Sequence, residues 1–514
     1  MKHEAYFEFS DTEAHTDWRA KIAWPIDIQE LRRHGQCATN AALDWCISRP
    51  EQEQEPLAKS CIILALTHYM ALFEATWVAQ EAIKKSIRLN GGPTEIKFLT
   101  TGDKSTWKLQ PLVRQLAEAT PRFDWLRRSA RAVSWSNPRD IFRTFSNPDL
   151  VAVSHNSLAS SEFRRKRRAV GFRRASTYWC MGTLEFDSSF ESSILEELIA
   201  LFASLETPLS TVFQERLLIA LRNRIEPIIA QTEHVAGWLR TQDLPEHIAT
   251  GTLGSISARV LAAEVARRGG FVETYDHGGQ IAQIPELQTI IDLVLPSQFW
   301  TPTSEWTNLL QPTVNKIAWG HTIELRGGEG EPLFINACRD MPASNPVQKM
   351  IYIGHPFRGL RTPPISTVCD AIYWDFQLRL IEILKELPAT LLCKPHPEGA
   401  FRGTTNPLSD FAKVSYQPFE EHLDDADVFV IDAPTSTTFL EIMCTQKRVV
   451  LIDRGHYPAN PYVTSEIERR CEIVPVRYDD RGRLFVDAEQ LSDAIFSSKA
   501  IDPTFFRRLA ANVI

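Results

Sequence analysis

The strongest constraint on this chain is the alternation that begins near residue 350. MIYIGHP (350–356), TLLCKPHP (390–397), ADVFVID (426–432) and RVVLID (448–453) are short apolar runs of strand type, with a further strand expected around VSYQPF. Between them lie the helical segments AIYWDFQLRLIEILKEL (371–387) and STTFLEIMCT (436–445). Apolar strands that alternate with helices predict βαβ units, and so a parallel sheet covered on both faces. Ligands of such sheets bind beyond the carboxyl ends of the strands. The residues that follow each strand are therefore where chemistry is sought.

Upstream the texture differs. Long amphipathic helices are expected at Leu57–Leu89, Glu191–Leu205 and Leu209–Leu239, where Leu217, Leu218, Leu221 and Ile225 recur at helical spacing. Strand-type runs fall at IKFLTT (96–101), DLVAVSH (149–155), FVETYD (271–276) and DLVLPS (292–297). Pro342 and Pro346 in MPASNPVQK (341–349) interrupt both patterns, so the boundary is expected there. With 514 residues the chain is long enough for two α/β domains, the first carrying helical insertions.

Composition excludes several classes. A net charge of −8 argues against general nucleic-acid binding, which needs an extensive basic surface. The nine cysteines include no CxxC spacing, so neither a disulfide framework nor a zinc site is indicated, and a reducing cytoplasm is expected. The opening MKHEAYFEFSDTEAHTDWRAK has acids and polar residues where a secretory signal needs an apolar stretch. The longest apolar run, Cys61–Phe73, contains Thr67 and His68 and falls short of the roughly 20 residues that cross a bilayer. It reads as a buried helix, leaving any membrane work to the surface.

Three segments carry candidate chemistry. In IDAPTSTTFLEI a strand ends at Asp432, and Ser436, Thr437 and Thr438 open a helix whose N–H groups and dipole suit an anion, with Glu441 one turn on to accept from sugar hydroxyls. The alternative is that Thr435 or Ser436 simply caps the helix and Glu441 faces solvent. At the end of the preceding strand, Lys394, His396, Pro397, Glu398 and Gly399 form a second anion-competent loop, or a Pro-rich surface turn. In the first region FVETYD runs into Asp276, His277, Gly278 and Gly279, where a carboxylate at a strand's carboxyl end could be a nucleophile or base, or the group could form a tight turn.

No Walker or dinucleotide loop follows a strand, and Asp424, Asp425 and Asp427 read as acids at a strand start rather than as a metal site. The basic run 163–174 (Arg164, Arg165, Lys166, Arg167, Arg168, Arg173 and Arg174) could meet an anionic acceptor or membrane surface; the alternative is a solvated segment paired with acids.

Together YDHGG (275–279), IYIGHPFRGLRTPP through YWDFQLRL (351–380) and KPHPEG with DAPTSTTFLE (394–441) resemble the GT-B glycosyltransferases of bacterial capsule and lipopolysaccharide assembly, especially the retaining β-Kdo transferases that use CMP-Kdo. The resemblance covers the C-terminal half well and the first 240 residues poorly. It implies two Rossmann-type domains facing a cleft: an acceptor domain over 1–340, a CMP-sugar donor domain over 345–495, and a C-terminal helix over 496–514 that crosses back. It further implies Asp276 as the nucleophile of a double displacement, and His396, Ser436 and Thr437 around the leaving phosphate, with no metal or other cofactor. His277, Gly278, Gly279, His355, Arg358, Arg164 and Arg165 are candidate substrate contacts.

The implied function is transfer of Kdo, or a related nonulosonic acid, to an oligosaccharide or lipid-linked glycan of lipopolysaccharide O-antigen or capsule, with no nucleic-acid partner. The implied place is the cytoplasm, with peripheral contact at the inner face of the membrane, alone or within a larger multidomain assembly protein. Two alternatives from other classes are a GT-B-like sugar-nucleotide epimerase or hydrolase, and a non-catalytic glycan-binding module.

Overall fold

The computed structural model describes residues 3–7, 9–13, 16–49, 55–103, 130, 133–135, 148–166, 169–173, 175, 192–278, 290–316, 322–339, 346–357, 368–397, 401, 404–455 and 461–513. Among these, two parallel sheets organise the chain. A short pair, β1 (Glu4–Tyr6) and β2 (Arg88–Asn90), precedes and flanks them. The first sheet has six strands: β3 (Leu150–Ala152), β4 (Val170–Phe172), β5 (His247–Thr250), β6 (Phe271–Tyr275), β7 (Gln298–Thr301) and β8 (Glu324–Gly327), in the order β4-β3-β5-β6-β7-β8. The second has five: β9 (Lys349–Ile353), β10 (Thr390–Lys394), β11 (Val428–Ile431), β12 (Arg448–Asp453) and β13 (Glu472–Pro475), in the order β10-β9-β11-β12-β13. A small antiparallel ladder, β14 (Arg477–Tyr478) with β15 (Leu484–Phe485), follows.

Both orders are of the doubly wound type. The chain steps to one side of its first strand, then returns to build outward on the other, so the connections diverge between β3 and β5 and between β9 and β11. Those two places are the crevices where an α/β sheet holds ligands.

The helical insertions form a layer on the first sheet. Helix Glu55–Lys85 packs against Thr211–Arg240 and Ile256–Arg267, and includes the buried run expected at Cys61–Phe73. Buried Arg259 ties this layer to the sheet edge, donating from Nε to Ser60 O at 2.7 Å and from Nη1 to Leu253 O at 2.7 Å. Among the described residues Glu55–Lys85 is the one helix long and apolar enough to cross a membrane, and 78% of its most apolar window is buried inside the protein.

Three expectations for local structure need correction. IKFLTT is the helix Ile96–Thr101: Phe98 and Leu99 turn inward, Gly102 closes the last turn by donating to Phe98 O at 2.7 Å, and Arg216 donates to the carbonyls of Leu99 and Thr100. Asp292–Ser297 is not a strand. Asp292 Oδ1 is drawn to the loop after β5 by Leu253 N (2.7 Å) and Thr252 Oγ1 (3.1 Å), and β7 starts only after Pro296. Near VSYQPF only an isolated bridge forms, between Val414 and Cys393.

The chain ends hold the two sheets together. Helix Thr504–Ala511 receives Thr303 Oγ1 at Leu509 O (2.6 Å) and Glu331 N at Ala510 O (3.0 Å), while Arg508 pairs with Glu305 at 2.5 Å. From the same helix Arg507 Nε donates to Cys444 O at 2.8 Å, beside the second sheet. Near the N-terminus Arg19 pairs with Asp375 (3.2 Å) and Glu382 (2.8 Å), and Trp24 N donates to Arg481 O (2.7 Å).

The crevice between β9 and β11 is filled by a polar network centred on Asp432, which is 0% exposed. Tyr352 donates its hydroxyl to Asp432 Oδ2 at 2.7 Å and Tyr373 at 2.9 Å, while the backbone N–H of His355 donates to Oδ1 at 2.9 Å. Gln377 Nε2 donates to both phenol oxygens, at 3.2 and 2.8 Å. Burial and the nearby carboxylate hold both phenols well above their usual range, so both remain donors. Removing the acceptor would leave the two buried phenol hydroxyls without the carboxylate they donate to, while the His355 N–H would keep the Tyr373 hydroxyl oxygen at 2.6 Å. Asp432→Ala is therefore expected to lower stability by about 3–5 kcal/mol, with Asp432→Asn costing less, as measured by denaturant titration.

Candidate functional site

The site is built from the carboxyl ends of both sheets. In the first, Ser154 and Thr250 hydroxyls hydrogen-bond across β3 and β5 at 2.6 Å. Gly251 follows β5 so closely against the next loop that a Cβ there would come 2.8 Å from Asn156 N. Asn156 then acts as a clamp: Nδ2 donates to Gly251 O (3.1 Å) and Asp276 O (2.7 Å), and Oδ1 accepts from Ala159 N (2.8 Å), starting helix Ser157–Lys166. On its other side Asp276 N donates to Trp300 O at 2.8 Å. The Asp276 backbone is thus fixed from two directions, and the residue is 1% exposed.

The chain turns outward after Asp276. His277 is exposed and Gly278 has a left-handed backbone, φ 68°. Gly278 lies directly on Thr437: a Cβ at this glycine would overlap Thr437 Oγ1 and stand 3.0 Å from Thr437 Cβ. Two candidate segments 159 residues apart in sequence, at Gly278 and Thr437, are therefore in contact, one from each sheet. Gly279 lies outside the described residues.

On the second sheet Ser436 is the N-cap of helix Thr437–Met443. Its Oγ accepts from Phe439 N at 3.1 Å and donates to Ala433 O at 2.9 Å, so this hydroxyl is committed to the turn. Helix geometry leaves the N–H groups of Thr437 and Thr438 without an intrahelical acceptor. Both residues are half-buried. Glu441 does not face solvent; it is 2% exposed, and its Oε1 has no hydrogen-bond partner among the described residues. Burial, reinforced by the charge of Glu420, pushes its carboxyl up to about 8.

Lys394 ends β10 and is buried, which lowers its ammonium below the usual range, while Glu420 pulls in the opposite direction. Glu420 thus acts on both Lys394 and Glu441. His396 is half-buried and Pro397 exposed; Glu398 and Gly399 lie outside the described residues, as does Arg358. His355 is half-buried, with Nδ1 2.9 Å from Pro356 O.

The basic run divides between a helix end and β4. Arg165 pairs with Glu162 at 2.5 Å and Glu329 at 3.8 Å, and Arg164 Nε donates to Ser160 O at 3.1 Å. Arg167, Arg168 and Arg174 lie outside the described residues. No group of three or more His, Cys, Asp or Glu side chains that could hold a metal is present among the described residues.

Sequence reasoning missed two contributors. Asn156 gives no motif, because its role depends on three partners from separate segments. Glu331, also buried, accepts from the Ser157 hydroxyl at the start of the next helix; burial pushes its carboxyl up to about 7. No family model matches the chain, and no curated protein matches it.

The raised carboxyls predict how stability depends on pH. The folded protein keeps the Glu441 proton to about 8, whereas an unfolded carboxyl releases it near 4.5. The stability linked to this proton is full below the lower value and is lost as pH rises through the upper one, and Glu331 acts in the same direction. Glu441→Gln should therefore flatten the fall in Tm between about pH 5 and about pH 9. A variant profile parallel to wild type would show that Glu441 titrates as an ordinary exposed acid.

Proposed function

We propose that the chain is a glycosyltransferase of the two-domain GT-B type, moving Kdo or a related nonulosonic acid from its CMP-activated form to a surface glycan. The observation that carries this reading is the seating of the Asp276–Gly278 turn on Thr437. A buried carboxylate at one sheet edge and a phosphate-competent turn at the other are what a transfer between donor and acceptor requires.

In this reading the Thr437 and Thr438 N–H groups, with the positive end of their helix, receive the CMP phosphate, and His396 adds a donor. Ser436 serves by shaping the turn, since its hydroxyl is already engaged. Asp276 attacks the anomeric carbon as CMP departs, and the glycosyl–enzyme bond is then broken by an acceptor hydroxyl, retaining configuration. Asn156 is a positioning residue: it holds the Asp276 carbonyl so that the carboxylate stays at the strand end. The sugar nucleotide is a substrate here, and the reading assigns no resident cofactor.

Incubation with CMP-Kdo, with and without an acceptor glycan, tests the reading. Glycan extension is expected. Release of CMP or an altered sugar without acceptor would move the protein to the epimerase or hydrolase class, and glycan binding without turnover to the non-catalytic one. Asp276→Asn should lower turnover by orders of magnitude while CMP still raises Tm as in wild type. A saturating ligand at a hundred times its Kd adds about 2.7 kcal/mol, so retained binding is readily seen. A variant with near-normal rates would remove Asp276 from the chemistry.

A further inference from the structure

One buried side chain gathers the carbonyls at and beyond the C-terminal end of helix Thr437–Met443. Arg470, the last residue of helix Pro461–Arg470, donates from Nε to Met443 O at 3.0 Å and from Nη2 to the carbonyls of Ile442 (3.2 Å), Thr445 (2.8 Å) and Lys447 (2.9 Å). Arg507, from helix Thr504–Ala511, donates from Nε to the carbonyl between them, Cys444 O, at 2.8 Å. Two guanidiniums from separate helices therefore meet on one short stretch of backbone. We infer that Arg470 and Arg507 together hold a small inorganic anion, of the chloride or phosphate class.

Hydrogen bonding and charge both call for such a ligand. Arg470 is 3% exposed, and its Nη1 is buried with no hydrogen-bond partner among the described residues; the same holds for Nη2 of Arg507. A guanidinium has only donors, so each of these atoms needs an acceptor. Nε and Nη2 form one edge of the Arg470 fork and are turned to carbonyls, which leaves Nη1 on the other edge, directed away from them. The adjacent arginines provide a contrast. Arg469 pairs with Glu466, and Arg508 with Glu305 at 2.5 Å, whereas Arg470 and Arg507 have no carboxylate in ion-pair contact among the described residues. Asp502 acts on Arg470 through space, but it is exposed and its Oδ1 already accepts from Thr504 N at 3.0 Å.

Helix capping accounts for only part of this arrangement. A helix C-terminus carries about −0.5 of an elementary charge, enough to attract one cation, yet two stand here. Burial, with Arg507 acting in the same direction, lowers the Arg470 guanidinium to about 10, so it still carries its charge at neutral pH. Two like charges out of water are costly unless an opposite charge joins them. An anion supplies that charge and accepts charge-assisted hydrogen bonds from Arg470 Nη1 and Arg507 Nη2. The ion fastens helix Thr504–Ala511, which reaches Thr303 and Glu331 beside the first sheet, to the segment that follows helix Thr437–Met443 beside the second. Its place is the opposite end of that seven-residue helix from the Thr437 turn, about 10 Å away along the axis, so it stands apart from the nucleotide reading.

The test uses crystals of the full chain grown in sodium bromide, read by bromine anomalous scattering, and in sodium phosphate. An anomalous peak or phosphate density within hydrogen-bonding reach of both Arg470 Nη1 and Arg507 Nη2 is expected; the first result makes the occupant a halide, the second an oxyanion. In solution, Tm should rise with the concentration of the anion found there while sodium gluconate keeps the ionic strength constant, because a ligand of the folded state alone adds stability by mass action. Arg507→Gln should abolish that rise, whereas any phosphate effect exerted at the Thr437 turn would survive the substitution. If the variant fails to fold, the wild-type crystals decide the matter. Water alone at the two atoms in both crystals, an ion that touches only one of the arginines, or an Arg507→Gln protein whose Tm responds to both anions as wild type does would each overturn the inference.

Discussion

Two parallel sheets can share one site only if the carboxyl ends of their strands face one another, and the approach of Gly278 to Thr437 is where this protein makes them do so. The contact leaves no room for a side chain on the first partner. It joins the turn after β6 to the turn after β11, each of which is rigid for its own reason. Asn156 and Trp300 hold the first through the Asp276 backbone, and the Ser436 cap holds the second. A close fit between two fixed turns defines a geometry, whereas contact between two mobile loops would not.

The rest of the molecule supports that fit from a distance. Helix Thr504–Ala511 reaches Thr303 and Glu331 on one side and Cys444 on the other, so the last elements of the chain bridge both sheets. The Asp432 network fills the β9/β11 crevice with satisfied polar groups, so the buried carboxylate there has a structural load before any ligand is considered. Glu441 and Glu331 differ in kind. Their burial raises their carboxyls, and in a folded protein such groups are retained at a cost in stability that an ordinary core residue would not incur.

Much of the second sheet was legible in the sequence because four of its strands are short apolar runs bounded by turns; Arg448–Asp453 coincides with the expected strand, β10 and β11 fall inside theirs, β9 begins one residue before its own, and β13 was not foreseen. The first region was harder to read. β4, β5 and β8 are only three or four residues long, β5 and β8 are also mixed in polarity, and β7 follows the apolar run that drew attention to 292–297. IKFLTT has strand-like composition, yet it becomes a helix because a neighbouring helix offers Phe98 and Leu99 a place to bury. Local propensity is a weak guide where tertiary packing decides.

At the site, the motifs located Asp276 and the 436–441 segment, but sequence could not supply the contact between them, nor the inward turn of Glu441, since both depend on how separate elements pack. The most direct measurement of the central claim is a crystal structure of the protein with CMP. The account predicts the phosphate within hydrogen-bonding reach of the Thr437 and Thr438 N–H groups, on the side that faces Asp276. A nucleotide seated elsewhere, such as the crevice between β3 and β5, or no bound nucleotide at saturating CMP, would contradict it.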